Sequence, residues 1–98
     1  MTADVPSGGR HDPSRDTVFQ PEFREDLTFW ITTDRNVALR VLRLVDAILR
    51  DPFVGIGKPE PLRRFGPNTW SRRVTSADRI IYVVLQERID FVSARGHY

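Results

Sequence analysis

The chain has no cysteine, a single lysine (Lys58) and two histidines among its 98 residues. The lack of cysteine excludes a disulfide framework and any thiolate metal site. No apolar run approaches the roughly 20 residues of a membrane span. The opening stretch MTADVPSGGRHDPSRD has no apolar segment of signal-peptide type. These absences imply a soluble protein with no membrane partner and a cytoplasmic location. They leave one small domain, since a chain of this length buries only about two thirds of the surface its unfolded form exposes.

What the chain does have is arginine, unevenly placed. Residues 1–34 carry 3 basic and 7 acidic side chains, whereas residues 35–98 carry 12 basic and 6 acidic. Almost all of the positive charge is arginine, which grips phosphate bidentately and stacks on bases. A nucleic-acid partner fits this split, and a merely solvated basic surface fits it about equally well.

Residues 1–16, rich in Pro, Gly, Ser and Asp, read as a disordered leader, and residues 17–98 as the folded domain. TVFQ is a short strand. Pro21 suits a first helical turn, after which Phe23, Leu27, Trp30 and Ile31 recur at helical spacing to about Thr33. Asp34 is placed to cap a second helix with an apolar stripe of Val37, Val41, Leu44, Val45 and Ile48. Arg40, Arg43 and Arg50 lie on its other side, and it ends near Asp51 ahead of Pro52. Beyond FVGIG the pattern turns to β, with PLRRF, TWSRRVT, DRIIYVVLQ and RIDFVSAR separated by short turns. IIYVVL, apolar throughout, suits a central strand. The order β-α-α-β-β-β-β gives an α+β fold, two helices packed on one face of a small, mainly antiparallel sheet with the other face open.

One acid stands out against this basic background. In GKPEPLRR, Glu60 sits between Pro59 and Pro61 and among Lys58, Arg63 and Arg64. The prolines stiffen the segment and project the carboxylate. A general base needs that positioning, although cations around a carboxylate oppose proton uptake until a polyanionic substrate neutralises them. An isolated glutamate is more often a surface acid in an ion pair. Arg63, Arg64, Arg72, Arg73 and Arg79 all fall on or beside predicted strands and could form a cationic platform, with Arg72 and Arg73 on opposite faces. Trp70 and Phe65 are better read as packing residues than as base-stacking ones. His11, in the leader, is assigned nothing. His97, in the closing GHY beside Tyr98, carries an imidazole that titrates near neutrality and can act as an acid. One carboxylate, one imidazole and several arginines, with no metal-ligand cluster, are what RNA cleavage without a metal or other cofactor requires.

These residues carry a resemblance. PFVGIGKPEPLRR, WSRRVTSADRIIYVV and the closing HY, in this order over about residues 17–98, resemble the signature of the Txe/YoeB toxins of the RelE/ParE superfamily. The resemblance implies a RelE-like fold and a ribosome-dependent endoribonuclease that cuts mRNA in the A site of the 70S ribosome. It implies neutralisation by a cognate YefM/Phd-like antitoxin, and it allows a homodimer. It places the general base on Glu60, the phosphate-stabilising arginine on Arg79, the general acid on His97 and the family's terminal tyrosine on Tyr98. A basic residue matching Arg63 would support the transition state. The chain departs from the family in its longer leader and in Gly96, where members usually have a bulky residue; a freer tail and lower activity would follow from that glycine. Two readings compete with the nuclease: a gyrase-poisoning inhibitor that needs no acid/base pair, and a silent partner that only pairs with an antitoxin.

Overall fold

A computed structural model describes residues 15–96. Strand β1 (Asp16–Phe19) leads into helices α1 (Pro21–Thr33) and α2 (Arg35–Arg50). Then come β2 (Glu60–Pro61), a 3-10 turn (Arg63–Phe65), β3 (Thr69–Arg73), β4 (Arg79–Val84) and β5 (Arg88–Ser93). The strands form one sheet in the order β1-β5-β4-β3-β2, so the apolar β4 is central as expected. All neighbours are antiparallel except β1, which runs parallel to β5. Among the described residues no helix is long and apolar enough to cross a membrane.

The helix boundaries follow from local chemistry. Pro21 opens α1, where its missing N–H costs nothing. Asp34 serves both helices: its N–H donates to Trp30 O and ends α1, while its carboxylate accepts from Val37 N and starts α2. Asp51 ends α2 in a similar way, accepting from Phe53 N and Val54 N at 3.0 and 3.2 Å as the chain turns at Pro52.

The core lies between the helices and one sheet face. Phe23 and Trp30 of α1 and Val41, Leu44, Val45 and Ile48 of α2 pack on Ile80, Tyr82, Val84, Ile89 and Phe91. Alternation along β4 sends Ile80, Tyr82 and Val84 inward and leaves Arg79, Ile81 and Val83 on the opposite face.

Four expectations change. Arg15 and Asp16 belong to the folded domain and not to the leader: Arg15 Nε donates to Leu85 O at 2.9 Å and Asp16 begins β1. Residues 1–14 lie outside the described residues. Ile31, expected on the apolar face of α1, is 56% exposed. Arg40 reaches back across α2 to donate to Val74 O and Arg73 O at 2.8 and 2.9 Å, joining helix and sheet. PLRRF contributes only Pro61 to strand β2: Leu62 N still donates to Thr69 O at 2.8 Å, and the chain then leaves the ladder for the 3-10 turn. Arg63 and Arg64 therefore sit on the 3-10 turn.

Candidate active site on the open sheet face

Two segments far apart in sequence meet on the open face. The β2–β3 register sets Glu60 opposite Ser71, and the β3–β4 register sets Arg73 opposite Arg79. Side chains of one parity share a face, so Glu60, Ser71, Arg73 and Arg79 all project away from the helices. Arg79 Nη1 lies 3.1 Å from Glu60 Oε1, and their side chains are 22% and 56% exposed. The same nitrogen touches Ser71 Oγ at 3.5 Å. The carboxylate is thus open to a ligand, and the arginine beside it is braced from below.

Glu60 owes its placement to the segment before it. Gly57 has φ +84, and a Cβ there would lie 2.9 Å from Leu44 Cδ2 and 3.3 Å from Arg73 O. Only glycine fits so close to the helix and the strand. Its carbonyl accepts from Arg73 N at 2.6 Å, which fixes the segment on β3. Lys58 then takes φ +53, a left-handed conformation uncommon outside glycine, and Pro59 leads into β2 at Glu60.

The arginines divide sharply. Arg73, exposed, stands directly across from Arg79, and its side chain has no hydrogen bond or ion pair among the described residues. Like charges opposite one another on a sheet are unfavourable unless an anion lies between them. Lys58, Arg63 and Arg64 are exposed along the segments that flank β2. Arg72 does not belong with them. It is fully buried on the helix side, where Nε donates to Tyr82 Oη at 3.2 Å and the guanidinium nitrogens donate to the carbonyls of Asp51, Val54 and Ile56. Its charge holds residues 51–56 in place and is withdrawn from any phosphate, so the expected platform loses this member. Burial raises the Tyr82 phenol above its usual range; the hydrogen bond and charge of Arg72 oppose the rise, and the Asp51 carboxylate adds to it. Trp70 is half-buried and packs on Phe53 with ring centres 5.1 Å apart, as its packing reading required.

His97 and Tyr98 lie outside the described residues, but the chain leading to them is firmly held. Ala94 is fully buried, its N–H donating to Asp26 Oδ2 and its carbonyl accepting from Trp30 Nε1, both at 2.9 Å. The Arg95 guanidinium lies 3.6 Å over the Phe29 ring. Gly96 donates to Asp78 Oδ1 at 2.6 Å, and its carbonyl accepts from Arg79 N at 3.0 Å. The expected loosening at Gly96 is not seen in these bonds. Its φ of +83 lies where glycine is favoured.

Asp26, Ser71 and Asp78 did not stand out in the sequence. Spacing gives some signal for two of them. Asp26 falls on the same helical face as Phe23 and Trp30, an acid on a buried stripe. Asp78 follows Thr75 by three residues, the spacing of a side-chain-closed turn.

Two helices on one face of a mixed five-stranded sheet, with an acid and arginines on the other, make this a RelE-like α+β toxin fold. The family model for the YoeB-like toxins of bacterial type II toxin–antitoxin systems matches residues 19–98. Toxin YoeB of Mycobacterium bovis is 43% identical over 84 residues, 86% of this chain and 99% of that protein. A YoeB dimer from Staphylococcus aureus superposes with a TM-score of 0.79 at 29% identity, covering 87% of this chain and 99% of that one. A heterotetrameric YoeB–YefM toxin–antitoxin complex from the same species gives 0.74 at 29% identity, covering 86% and 98%. The chain belongs to the YoeB-like toxin family of type II toxin–antitoxin systems.

Proposed function

We propose that this toxin is a ribosome-dependent endoribonuclease that cuts mRNA in the A site by acid/base catalysis. The observation that carries the reading is the meeting of Glu60 and Arg79 at 3.1 Å on an exposed face, beside the carbonyl of Gly96 that leads into His97. In this reading Glu60 takes the proton from a ribose 2′-hydroxyl, and the 2′-oxygen attacks the adjacent phosphorus. The bond from phosphorus to the 5′-oxygen breaks, leaving a 2′,3′-cyclic phosphate. His97 gives its proton to the departing oxygen. Arg79, with Arg73 across from it, meets the charge growing on the phosphoryl oxygens, and Lys58, Arg63 and Arg64 hold the flanking backbone. Tyr98, next to the acid, completes the tail. In the free toxin Arg79 pairs with Glu60; an arriving phosphate competes for that guanidinium and releases the carboxylate to act as a base.

The partners follow from the relatives. An antitoxin of YefM type is the natural inhibitor, as in the Staphylococcus aureus complex, and a homodimer is the corresponding free form. A ribosome-bound substrate would place the protein in the cytoplasm. The test is primer extension on a defined mRNA held on 70S ribosomes, comparing wild type, Glu60→Gln and His97→Gln. A cut in the A-site codon, abolished by either substitution, is the expected result. Intact mRNA with the wild type, while cells producing it still arrest, would overturn the reading and favour a binding target such as gyrase.

A further inference from the structure

We infer that Asp78 is a positioning residue, a latch that fixes the Gly96 peptide and so determines where His97 is delivered; the inference rests on His97 acting as the acid. Gly96 is gripped through both of its backbone groups. Asp78 Oδ1 accepts its N–H at 2.6 Å, and the N–H of the next residue, Arg79, donates to its carbonyl at 3.0 Å. That carbonyl carbon is the atom bonded to the nitrogen of His97. Arg79 therefore holds the tail with its backbone while its guanidinium meets Glu60, which ties base, phosphate-binding arginine and tail to one strand end.

The latch is itself held rigid. Asp78 Oδ2 accepts from Thr75 Oγ1 at 2.7 Å, and Thr75 Oγ1 accepts from Asp78 N at 3.0 Å, closing the β3–β4 turn. The tail arrives already constrained at Ala94 by Asp26 and Trp30. Ordinary chain ends fray because nothing repays the entropy of ordering them. Here the bonds at Ala94 and Gly96 offset that cost on either side of Arg95. An acid must sit within hydrogen-bond reach of the leaving oxygen, and a displacement of about 1 Å can cost 10²-fold in rate.

The experiment measures single-turnover cleavage of ribosome-bound mRNA by Asp78→Ala, Asp78→Asn and Thr75→Val, the Asp78→Ala change also being made in His97→Gln protein. Asp78→Ala is expected to slow the maximal rate by about 10²-fold while leaving the half-saturating ribosome concentration unchanged. Asp78→Asn, which keeps an oxygen to accept the Gly96 N–H, should recover most of the rate. Thr75→Val, which loses the three bonds at Thr75 Oγ1 that steady Asp78 but keeps the acceptor for the Gly96 N–H, should slow cleavage by less than Asp78→Ala does. In the His97→Gln background Asp78→Ala should add almost nothing, since there is no acid left to misplace. An equal fold-loss in both backgrounds would reduce Asp78 to a structural role and overturn the inference. Full activity of Asp78→Ala beside a slow His97→Gln would overturn it too, leaving the acid intact. A His97→Gln protein as fast as wild type would instead sink the acid reading beneath it. If Asp78→Ala does not fold, Asp78→Glu, which moves the acceptor by one methylene, is read against the same outcomes.

Discussion

Replacing Arg72 by methionine removes the donor for four acceptors: the Tyr82 hydroxyl and the carbonyls of Asp51, Val54 and Ile56. Hydrogen bonds to a charged group contribute about 1.5–3 kcal/mol each, so four of them come to about 6 kcal/mol at the low end. Two effects offset part of that. Methionine need not be stripped of an ion's hydration, which returns several kcal/mol, and the exposed segment around Val54 and Ile56 can turn its carbonyls to water. A net loss of about 3 kcal/mol remains, a large share of the roughly 5–15 kcal/mol that holds a small domain together. Thermal unfolding by circular dichroism should show the midpoint falling by about 12–24 °C. Arg72→Lys, a point charge in place of a planar fork, should fall between the two proteins. A midpoint for Arg72→Met within about 4 °C of the wild type, below about 1 kcal/mol on that scale, would refute the role of this buried cation.

Arg79→Met should behave in the opposite way. Its pair with the exposed Glu60 carboxylate contributes about 1 kcal/mol or less, so stability should fall far less than in Arg72→Met while ribosome-dependent cleavage is lost; an equally large fall in the midpoint would contradict the separation of the two arginines. Tyr82 gives the toxin an alkaline limit. The folded state keeps a phenolic proton that the unfolded chain gives up near pH 10, so stability is complete below that value and declines as the pH rises toward the raised folded pKa. Urea titrations from pH 8 upward should show this decline flattened in Tyr82→Phe, and equal slopes would argue against it. Among the described residues, a Cβ at Gly96 would meet no atom within 4 Å. Gly96→Ala therefore adds only the strain of a left-handed backbone, about 1–2 kcal/mol. Cleavage slower by up to about thirtyfold and an unfolding midpoint lower by about 4–16 °C are expected; a wild-type rate would remove the need for glycine there.

The helices, the central strand and the stiff projection of Glu60 were legible in the residues because each depends on near neighbours. Pro21, Asp34 and Pro52 mark the ends of segments whatever the rest of the chain does, and IIYVVL is too apolar for an edge. The motifs around Glu60 and WSRR likewise identified the family. Alternation separated Arg72 from Arg73, but which of them faces the helices depended on carbonyls at residues 51–56 that only the folded chain brings within reach. The same holds for Glu60 and Arg79, 19 residues apart, and for the bond from Gly96 to Asp78. The parallel seam of β1 on β5 also joins the two ends of the domain. The sequence alone determined the elements and the chemical types in the site, because propensity, capping and alternation act over a few residues. Only the tertiary structure decided which charges share a face and which are buried, because strand register and long-range hydrogen bonds exist only once the elements have packed.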